Sequence, residues 1–280
     1  MRHALFLAAL ALAFASLGAA EPAHPKAEGE KPVRILFIGN SYTMVHDLPA
    51  HVEAFLESKG RKAEVGRYLA GGTSLRDHWY HNEGTEAPKP TLAPAPARKG
   101  ELDKLLVEQG PWDYVVLQGQ SVEALPGQPR EFDKYAAKLV AKIRAAQPEA
   151  KPVFYLTWAR QDMPEQQAEI TKAYAATAKA NKALLVPAGE AWKDAFAARE
   201  GLVLHEADRS HPNPKGTYLT ACVFHAVLTG ESPVGLPARM ESRKEDGKTK
   251  GREGKPLCDV PAEEAKFLQE VAWKTAQRFK

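Results

Sequence analysis

Three residues far apart in the sequence are of the types that hydrolases use to activate a serine. Ser41 follows Gly39 and Asn40 at the end of an apolar run, and Asp208 and His211 lie three residues apart much later in the chain. A serine hydroxyl is a poor nucleophile unless an imidazole removes its proton and a carboxylate orients that imidazole. The short spacing lets Asp208 and His211 lie close together within one loop. These residues predict nucleophilic catalysis by Ser41.

Simpler explanations exist for the same residues. Ser41 could cap the helix that we expect to begin near Asp47, since serine is common at helix N-termini. Asp208 and His211 could ligate a metal ion, as in exported zinc proteins. A catalytic zinc site usually takes three protein ligands, and we find no third ligand that the predicted sheet topology places clearly near the pair. We therefore expect no metal ion and no other cofactor.

Polar segments also follow two other predicted strands. Gly71 and Gly72 offer unobstructed backbone amides, which the oxyanion of a tetrahedral intermediate needs, although the pair could also be a plain turn. Gln118 and Gln120 follow an apolar strand, where packing does not explain two carboxamides. A glutamine amide can donate to the same oxyanion. These segments are candidates for completing a site around Ser41.

Short apolar runs alternate with helical patterns along the chain. The pattern predicts strands at 33–38, 63–69, 114–117, 152–157 and 183–186. It predicts helices at 47–59, 101–109, 131–146, 164–179, 189–198, 215–228 and 262–279, and a long surface loop at 71–99. This order indicates an α/β fold, a flavodoxin-like three-layer α/β/α sandwich with a five-stranded parallel sheet. Ligands bind at the carboxyl ends of such strands, so the topology brings Ser41, Gly71 and Gln118 to one edge.

The ends of the chain have their own patterns. Residues 1–20 read as a cleaved signal peptide, because their apolar run falls short of the ~20 residues that a membrane anchor needs. Residues 21–32 read as a disordered leader, and 33–280 as a single domain with a charged insertion at 239–255. We therefore expect an exported protein, periplasmic or extracellular, without stable membrane insertion.

Charge and cysteine content limit the remaining classes. The chain has 38 basic and 35 acidic residues and a net charge of +3, so we expect no nucleic-acid partner. No glycine-rich phosphate loop follows a strand, which disfavours nucleotide use. Cys222 and Cys258 could pair in an oxidising compartment or stay buried thiols, and the sequence leaves both possibilities open.

Together, the segments from about residue 33 to residue 230 resemble the SGNH hydrolases, also called the GDSL esterase and lipase superfamily. The resemblance implies the SGNH hydrolase fold, with Ser41 as the nucleophile and its amide in the oxyanion hole. The family's last motif, Asp followed three residues later by His, matches Asp208 and His211. The oxyanion glycine of the family's second conserved sequence block matches Gly72, or Gly71 if the alignment shifts by one residue. Asn40 stands where the family more often has Asp.

The third block departs from the usual family pattern. Most members have Gly-x-Asn-Asp, whose Asn side chain completes the oxyanion hole, whereas here the strand ends in Gln118, Gly119, Gln120 and Ser121. This sequence is closer to the Gln-Gly-Glu-Ser variant of sialate and acetylxylan esterase relatives. The resemblance then implies Gln118 as the oxyanion donor, with Gln120 as the alternative.

Export and the Gln-containing block favour a small acyl ester as substrate, such as an O-acetyl group on carbohydrate. Trp79 and Gln120 are candidate substrate-binding residues. Trp79 belongs to the loop 71–99, which could form a wall of the cleft. Trp79 could equally anchor that loop to the body of the domain. The alternatives to a hydrolase are a non-catalytic carbohydrate-binding protein on the same fold, or an acyltransferase that uses the same residues. The sequence does not indicate an oligomeric state.

Overall fold

The computed structural model describes residues 31–89, 98–128, 131–245, 248–250 and 255–280. The predicted signal peptide at 1–20 lies outside the described residues, as does the leader up to residue 30.

A five-stranded parallel sheet forms the centre of the fold, as predicted. Its strands are β1 (Val33–Gly39), β2 (Ala63–Leu69), β3 (Tyr114–Leu117), β4 (Lys151–Tyr155) and β5 (Leu184–Val186). The spatial order is β2-β1-β3-β4-β5, and every neighbouring pair is parallel. Both faces are buried: Ile35 and Phe37 face one hydrophobic cluster, Leu36 and Ile38 face the other, and all four are fully buried. This explains why β1 reads as a continuous apolar run.

Helices cover both faces of the sheet and complete three layers. They are α1 (Ser41–Met44), α2 (Leu48–Ser58), α3 (Leu75–Glu83), α4 (Glu101–Val107), α5 (Phe132–Ala146), α6 (Gln167–Ala180, after a 3₁₀ turn at Pro164–Gln166), α7 (Ala188–Ala198), α8 (Pro214–Thr229) and α9 (Ala262–Arg278). Helices α2, α7, α8 and α9 pack on one face, and α3, α4, α5 and α6 on the other. No helix in the described part of the chain is long and apolar enough to cross a membrane.

The predicted loop at 71–99 contains the helix α3, which the sequence pattern missed. A capping box begins this helix, because the Ser74 side chain accepts from the Asp77 amide and the Asp77 side chain accepts from the Ser74 amide. Its buried positions are polar as well as apolar, and Arg76 and His78 are almost fully buried. A helix whose inner face is polar has no apolar stripe for a periodicity search to detect.

The described residues of the predicted charged insertion at 239–255 include short β strands. Strand β6 (Arg239–Glu241) pairs antiparallel with β9 (Pro256–Asp259), and a separate pair joins β7 (Arg243–Glu245) to β8 (Lys248–Lys250). Met240 packs against the main hydrophobic cluster. The stretch is therefore anchored at both ends by β6 and β9, although its composition predicted only a solvated segment.

Both cysteines are buried free thiols. Cys222 lies on α8 and Cys258 on β9, and no disulfide joins them. Burial raises the pKa of the Cys258 thiol to about 12 and that of Cys222 well above its ordinary value. Such thiols are poor nucleophiles at neutral pH, which leaves the chemistry to other residues.

Candidate active site

The turn after β1 holds Ser41 at the carboxyl edge of the sheet. Asn40 caps the short helix α1: its Oδ1 accepts from the Tyr42 amide at 3.1 Å, and its Nδ2 donates to the Thr73 carbonyl at 2.9 Å. The second bond ties this turn to the turn after β2. Gly39 is required here, because a Cβ would lie 2.7 Å from the Oε1 of Gln118. Ser41 is thus presented by a turn that is fixed on two sides.

Ser41, His211 and Asp208 form a hydrogen-bonded chain. The His211 Nε2 lies 2.8 Å from the Ser41 Oγ, and the His211 Nδ1 donates to the Asp208 Oδ2. Since Nδ1 carries the proton, Nε2 is free to accept the proton of the serine hydroxyl. The arrangement is that of a nucleophile, its general base and the carboxylate that orients the base.

Backbone amides hold the Asp208 carboxylate in its ionised form. Its Oδ1 accepts from the amides of Ser210 and His211, both at 2.9 Å. Burial acts to raise the pKa of Asp208, but the bonds from the His211 side chain and from the two amides outweigh it and lower the pKa to about 2. Asp208 is therefore a charged partner for the imidazole at neutral pH.

Two aromatic side chains that the sequence did not single out contact the loop that carries Asp208, Ser210 and His211, called the catalytic loop below. Tyr42 stacks on Trp158 with ring centroids 4.8 Å apart, and its hydroxyl lies 2.7 Å from the Ser210 Oγ. The Trp158 indole donates to the Ser210 carbonyl at 3.0 Å. The rings of Tyr42 and His211 pack edge to face. Tyr42 directly follows Ser41 in the sequence, and this adjacency was the available signal.

Backbone amides suited to an oxyanion lie next to Ser41. The N–H groups of Ser41, Gly71 and Gly72 have no acceptor within the part of the chain that the structure describes. Gly72 has a φ of 69°, which only glycine adopts readily, whereas a Cβ on Gly71 would meet nothing within 4 Å. The bond from Asn40 to Thr73 brings this turn to the nucleophile turn. The conformation favours Gly72 over Gly71 as the position that needs glycine.

Gln118 lies beneath the nucleophile turn. Its Oε1 accepts from the Asn40 amide at 2.9 Å and from the Thr43 hydroxyl at 3.0 Å, while its Nε2 donates to the Gly119 carbonyl. The whole residue is inaccessible to solvent. An oxyanion donor has to face the substrate. These contacts therefore do not support the predicted oxyanion role, and they make Gln118 a positioning residue for Ser41.

We expect Gln118→Ala to lower both stability and activity. The substitution leaves the buried Asn40 amide without its acceptor and opens a cavity, so the unfolding free energy should fall by about 2–4 kcal/mol. Displacement of Ser41 should reduce kcat by about 10²-fold. Urea unfolding and ester hydrolysis, compared with Gln120→Ala, test this. An unchanged stability with lost activity would restore the oxyanion role.

Glu123 is a buried carboxyl that joins the third block to α3. It accepts from the Gln120 amide at 2.9 Å and from the Leu75 amide at 3.0 Å, and it is 1% exposed. Burial raises its pKa to about 7, although bonds from the amides of Gln120, Leu75 and Arg76 oppose the rise. Its sequence signal was its position three residues after Gln120, where a side chain can reach back to a turn amide.

The stability of the protein should depend on pH through Glu123. The folded state holds this proton up to about pH 7 and the unfolded chain only to about 4.5, so the unfolding free energy falls as pH rises through that window. Relative to Glu123→Gln, the wild type should lose on the order of 2–3 kcal/mol between pH 4.5 and pH 7.5. Urea titrations at both pH values measure this, with the exposed Glu149→Gln as control. A constant difference between wild type and variant would refute it.

The two predicted substrate-binding residues lie in different surroundings. The Trp79 ring packs against the ammonium groups of Lys138 and Lys142 on α5, at 4.7 and 5.3 Å from its centroid. These contacts anchor α3 to α5 and do not support a role for Trp79 in binding substrate. Gln120 is half-buried, and its side chain bonds to the Ser121 hydroxyl and the Val122 amide. A role for Gln120 in binding substrate remains a prediction.

Comparisons with known proteins bear on the fold. No protein-family model matches the sequence, and no curated protein matches it significantly. A DUF4886 family protein from Bacteroides uniformis is structurally similar over 88% of this chain and 95% of its own, with a TM-score of 0.63 and 18% identity. The acetylxylan esterase Axe2 from Geobacillus stearothermophilus is similar over 71% of this chain and 94% of its own, with a TM-score of 0.51 and 16% identity.

An α/β hydrolase enzyme, LAE5, from the metagenome of Lake Arreo gives a similar result. It covers 70% of this chain and 95% of its own, with a TM-score of 0.51 and 17% identity. At these identities the similarity concerns the fold. The chain shares with these proteins the fold that its sequence pattern predicted, a three-layer α/β/α sandwich around a five-stranded parallel sheet.

Proposed function

We propose that the protein is an exported serine esterase that hydrolyses a small acyl ester, an O-acetyl group on carbohydrate, by a Ser-His-Asp mechanism. One observation carries the proposal: the His211 Nε2 lies 2.8 Å from the Ser41 Oγ while its Nδ1 donates to Asp208. A carbohydrate-binding protein has no need of these three side chains as a hydrogen-bonded set.

The proposed reaction has two halves. His211 takes the proton of Ser41 as the Ser41 Oγ attacks the ester carbonyl, and the oxyanion is held by the amides of Ser41 and Gly72. His211 then protonates the leaving alcohol, which leaves an acyl group on Ser41. Water, deprotonated by His211, attacks this acyl group; the bond between the acyl carbon and the Ser41 Oγ then breaks, His211 returns its proton to that oxygen, and the carboxylic acid is released. Asp208 stabilises the imidazolium that forms in each half.

Two lines support a small acyl group on a sugar. One protein of similar fold is an acetylxylan esterase. Its substrate, an acetyl ester on a sugar, is the substrate class that we propose for this chain. A cavity next to the catalytic loop is lined by tryptophan, phenylalanine and histidine rings together with polar groups. Aromatic faces with a few polar groups suit the mixed surface of a sugar.

Hydrolysis of p-nitrophenyl esters from acetate to octanoate tests the proposal. We expect acetate to give the highest kcat/KM, with a steady decline as the chain lengthens. A maximum at octanoate would indicate a lipase, and absence of turnover on every ester by folded protein would favour the carbohydrate-binding alternative.

A further inference from the structure

Arg160 is a cationic side chain next to the catalytic loop. It follows β4, and its Nε is buried without a hydrogen-bond acceptor among the residues that the structure describes. Within the same residues, no ion pair joins its guanidinium to a carboxylate. A buried charged donor without an acceptor costs free energy, which a bound anion would offset.

Asp162, two residues from Arg160 in the sequence, is exposed and forms no ion pair with it among the residues that the structure describes. Three other carboxylates of this region have partners of their own. Asp208 bonds to His211, and Glu206 lies 2.8 Å from the Nε2 of His46. Glu190 lies 3.6 Å from the ammonium group of Lys193. Among the described residues, Arg160 therefore has no carboxylate within ion-pair distance.

Arg160 lines a cavity of about 320 Å³ at the edge of the sheet that carries the triad. Its walls include Trp158, Gln161, Trp192, Phe196 and His205. Trp158 links the wall of this cavity to the nucleophile turn, because its ring stacks on Trp192 at 3.8 Å and on Tyr42 at 4.8 Å. The Gln161 amide donates to the Arg209 carbonyl at 2.9 Å, which joins the segment of Arg160 to the Asp208 loop.

The charge of Arg160 reaches the catalytic loop. Burial raises the pKa of Tyr42, and among the effects that lower it, after hydrogen bonds to Ser210 and Ser121, is the positive charge of Arg160. Tyr42 follows the nucleophile and contacts the ring of His211. Arg160 and Trp158 line the same cavity, and Trp158 stacks on Tyr42, so this cavity adjoins the residue that follows the nucleophile.

We propose that Arg160 is a substrate-binding residue that receives a carboxylate of the sugar, so the substrate is an acyl ester of a uronic-acid-containing oligosaccharide. A guanidinium pairs with a carboxylate through two parallel hydrogen bonds, and the aromatic walls suit the apolar face of a sugar ring. This inference rests on the proposed function, since it names the substrate class of the same site.

A matched pair of substrates tests the inference. One is an acetylated xylo-oligosaccharide with a glucuronic acid branch, and the other is the same compound with the uronic carboxyl reduced to the alcohol. We expect wild type to prefer the acid in kcat/KM by about 10-fold or more, as charge-assisted bonds imply. Arg160→Gln should remove this preference. Lys193→Gln deletes the other cation that lines the same cavity, one already paired with Glu190, and should keep it.

An equal kcat/KM for acid and alcohol in wild type would overturn the inference, as would an unchanged preference in Arg160→Gln. Calorimetry separates this result from failure of the proposed function. The Ser41→Ala variant is titrated with the deacetylated acid and with its reduced form, with and without Arg160→Gln. Preferential binding of the acid that Arg160→Gln abolishes supports the carboxylate site even if no ester is hydrolysed. Equal binding of both forms counts against it.

Discussion

Replacing Ser41 by alanine is expected to abolish ester hydrolysis while leaving the fold intact. Without the hydroxyl, no acyl-enzyme can form, and the loss in kcat should be about 10⁴- to 10⁶-fold, as for other serine hydrolases whose nucleophile is removed. The only side-chain hydrogen bond of Ser41 in the described structure is to the His211 Nε2. The melting temperature should therefore change by no more than about 2 °C.

Ser210 provides the matched control for this substitution. Its hydroxyl belongs to the same site, but it bonds to the Tyr42 hydroxyl at 2.7 Å and not to His211. Ser210→Ala should lower kcat by less than about 10-fold. If Ser41→Ala kept more than a small fraction of turnover, or if Ser210→Ala lost as much, the nucleophile would be misassigned.

Asp208→Asn should lower kcat by about 10⁴-fold at neutral pH. The carbonyl oxygen of the substituted side chain would keep the bonds from the amides of Ser210 and His211, because the Oδ1 of Asp208 accepts both of them. The side-chain NH₂ would then face the His211 Nδ1 and force it to become an acceptor. The proton moves to Nε2, and the imidazole can no longer accept the proton of Ser41.

Steady-state hydrolysis of p-nitrophenyl acetate from pH 6 to pH 10 measures this loss. Asp162→Asn, which changes an exposed aspartate on the neighbouring loop, is the control for a simple change of charge. An Asp208→Asn variant within about 10-fold of wild type at neutral pH would contradict the role of Asp208 in fixing the tautomer.

The parallel sheet and the proximity of Asp208 to His211 were predictable because their signals are local. The apolar runs at 33–38, 63–69 and 114–117 are bounded by turn residues, and each became a strand with bounds within one residue of the prediction. Asp208 and His211 are three residues apart, so one loop conformation suffices to bring their side chains together. Strand topology then placed Ser41 at the same edge.

The supporting contacts were not predictable, because they join residues that are distant in sequence. Tyr42 and Ser210 are 168 positions apart, and Gln118 and Asn40 are 78 apart. Nothing in the local pattern around Gln118 shows whether its carboxamide faces the substrate or the turn below Ser41. The helix α3 was missed for a related reason: its inner face is partly polar and is stabilised by partners such as Glu123, which lies outside the helix.

Covalent labelling with diisopropyl fluorophosphate tests the central assignment most directly. The reagent phosphorylates a serine Oγ that a neighbouring base has activated, with loss of fluoride. We predict one label per chain, located by peptide mass spectrometry on Ser41, with esterase activity lost in parallel and no labelling of Asp208→Asn on the same timescale. Full activity in a chain labelled at Ser41, or inactivation that accompanies a label on another serine, would contradict the assignment of Ser41 as the nucleophile.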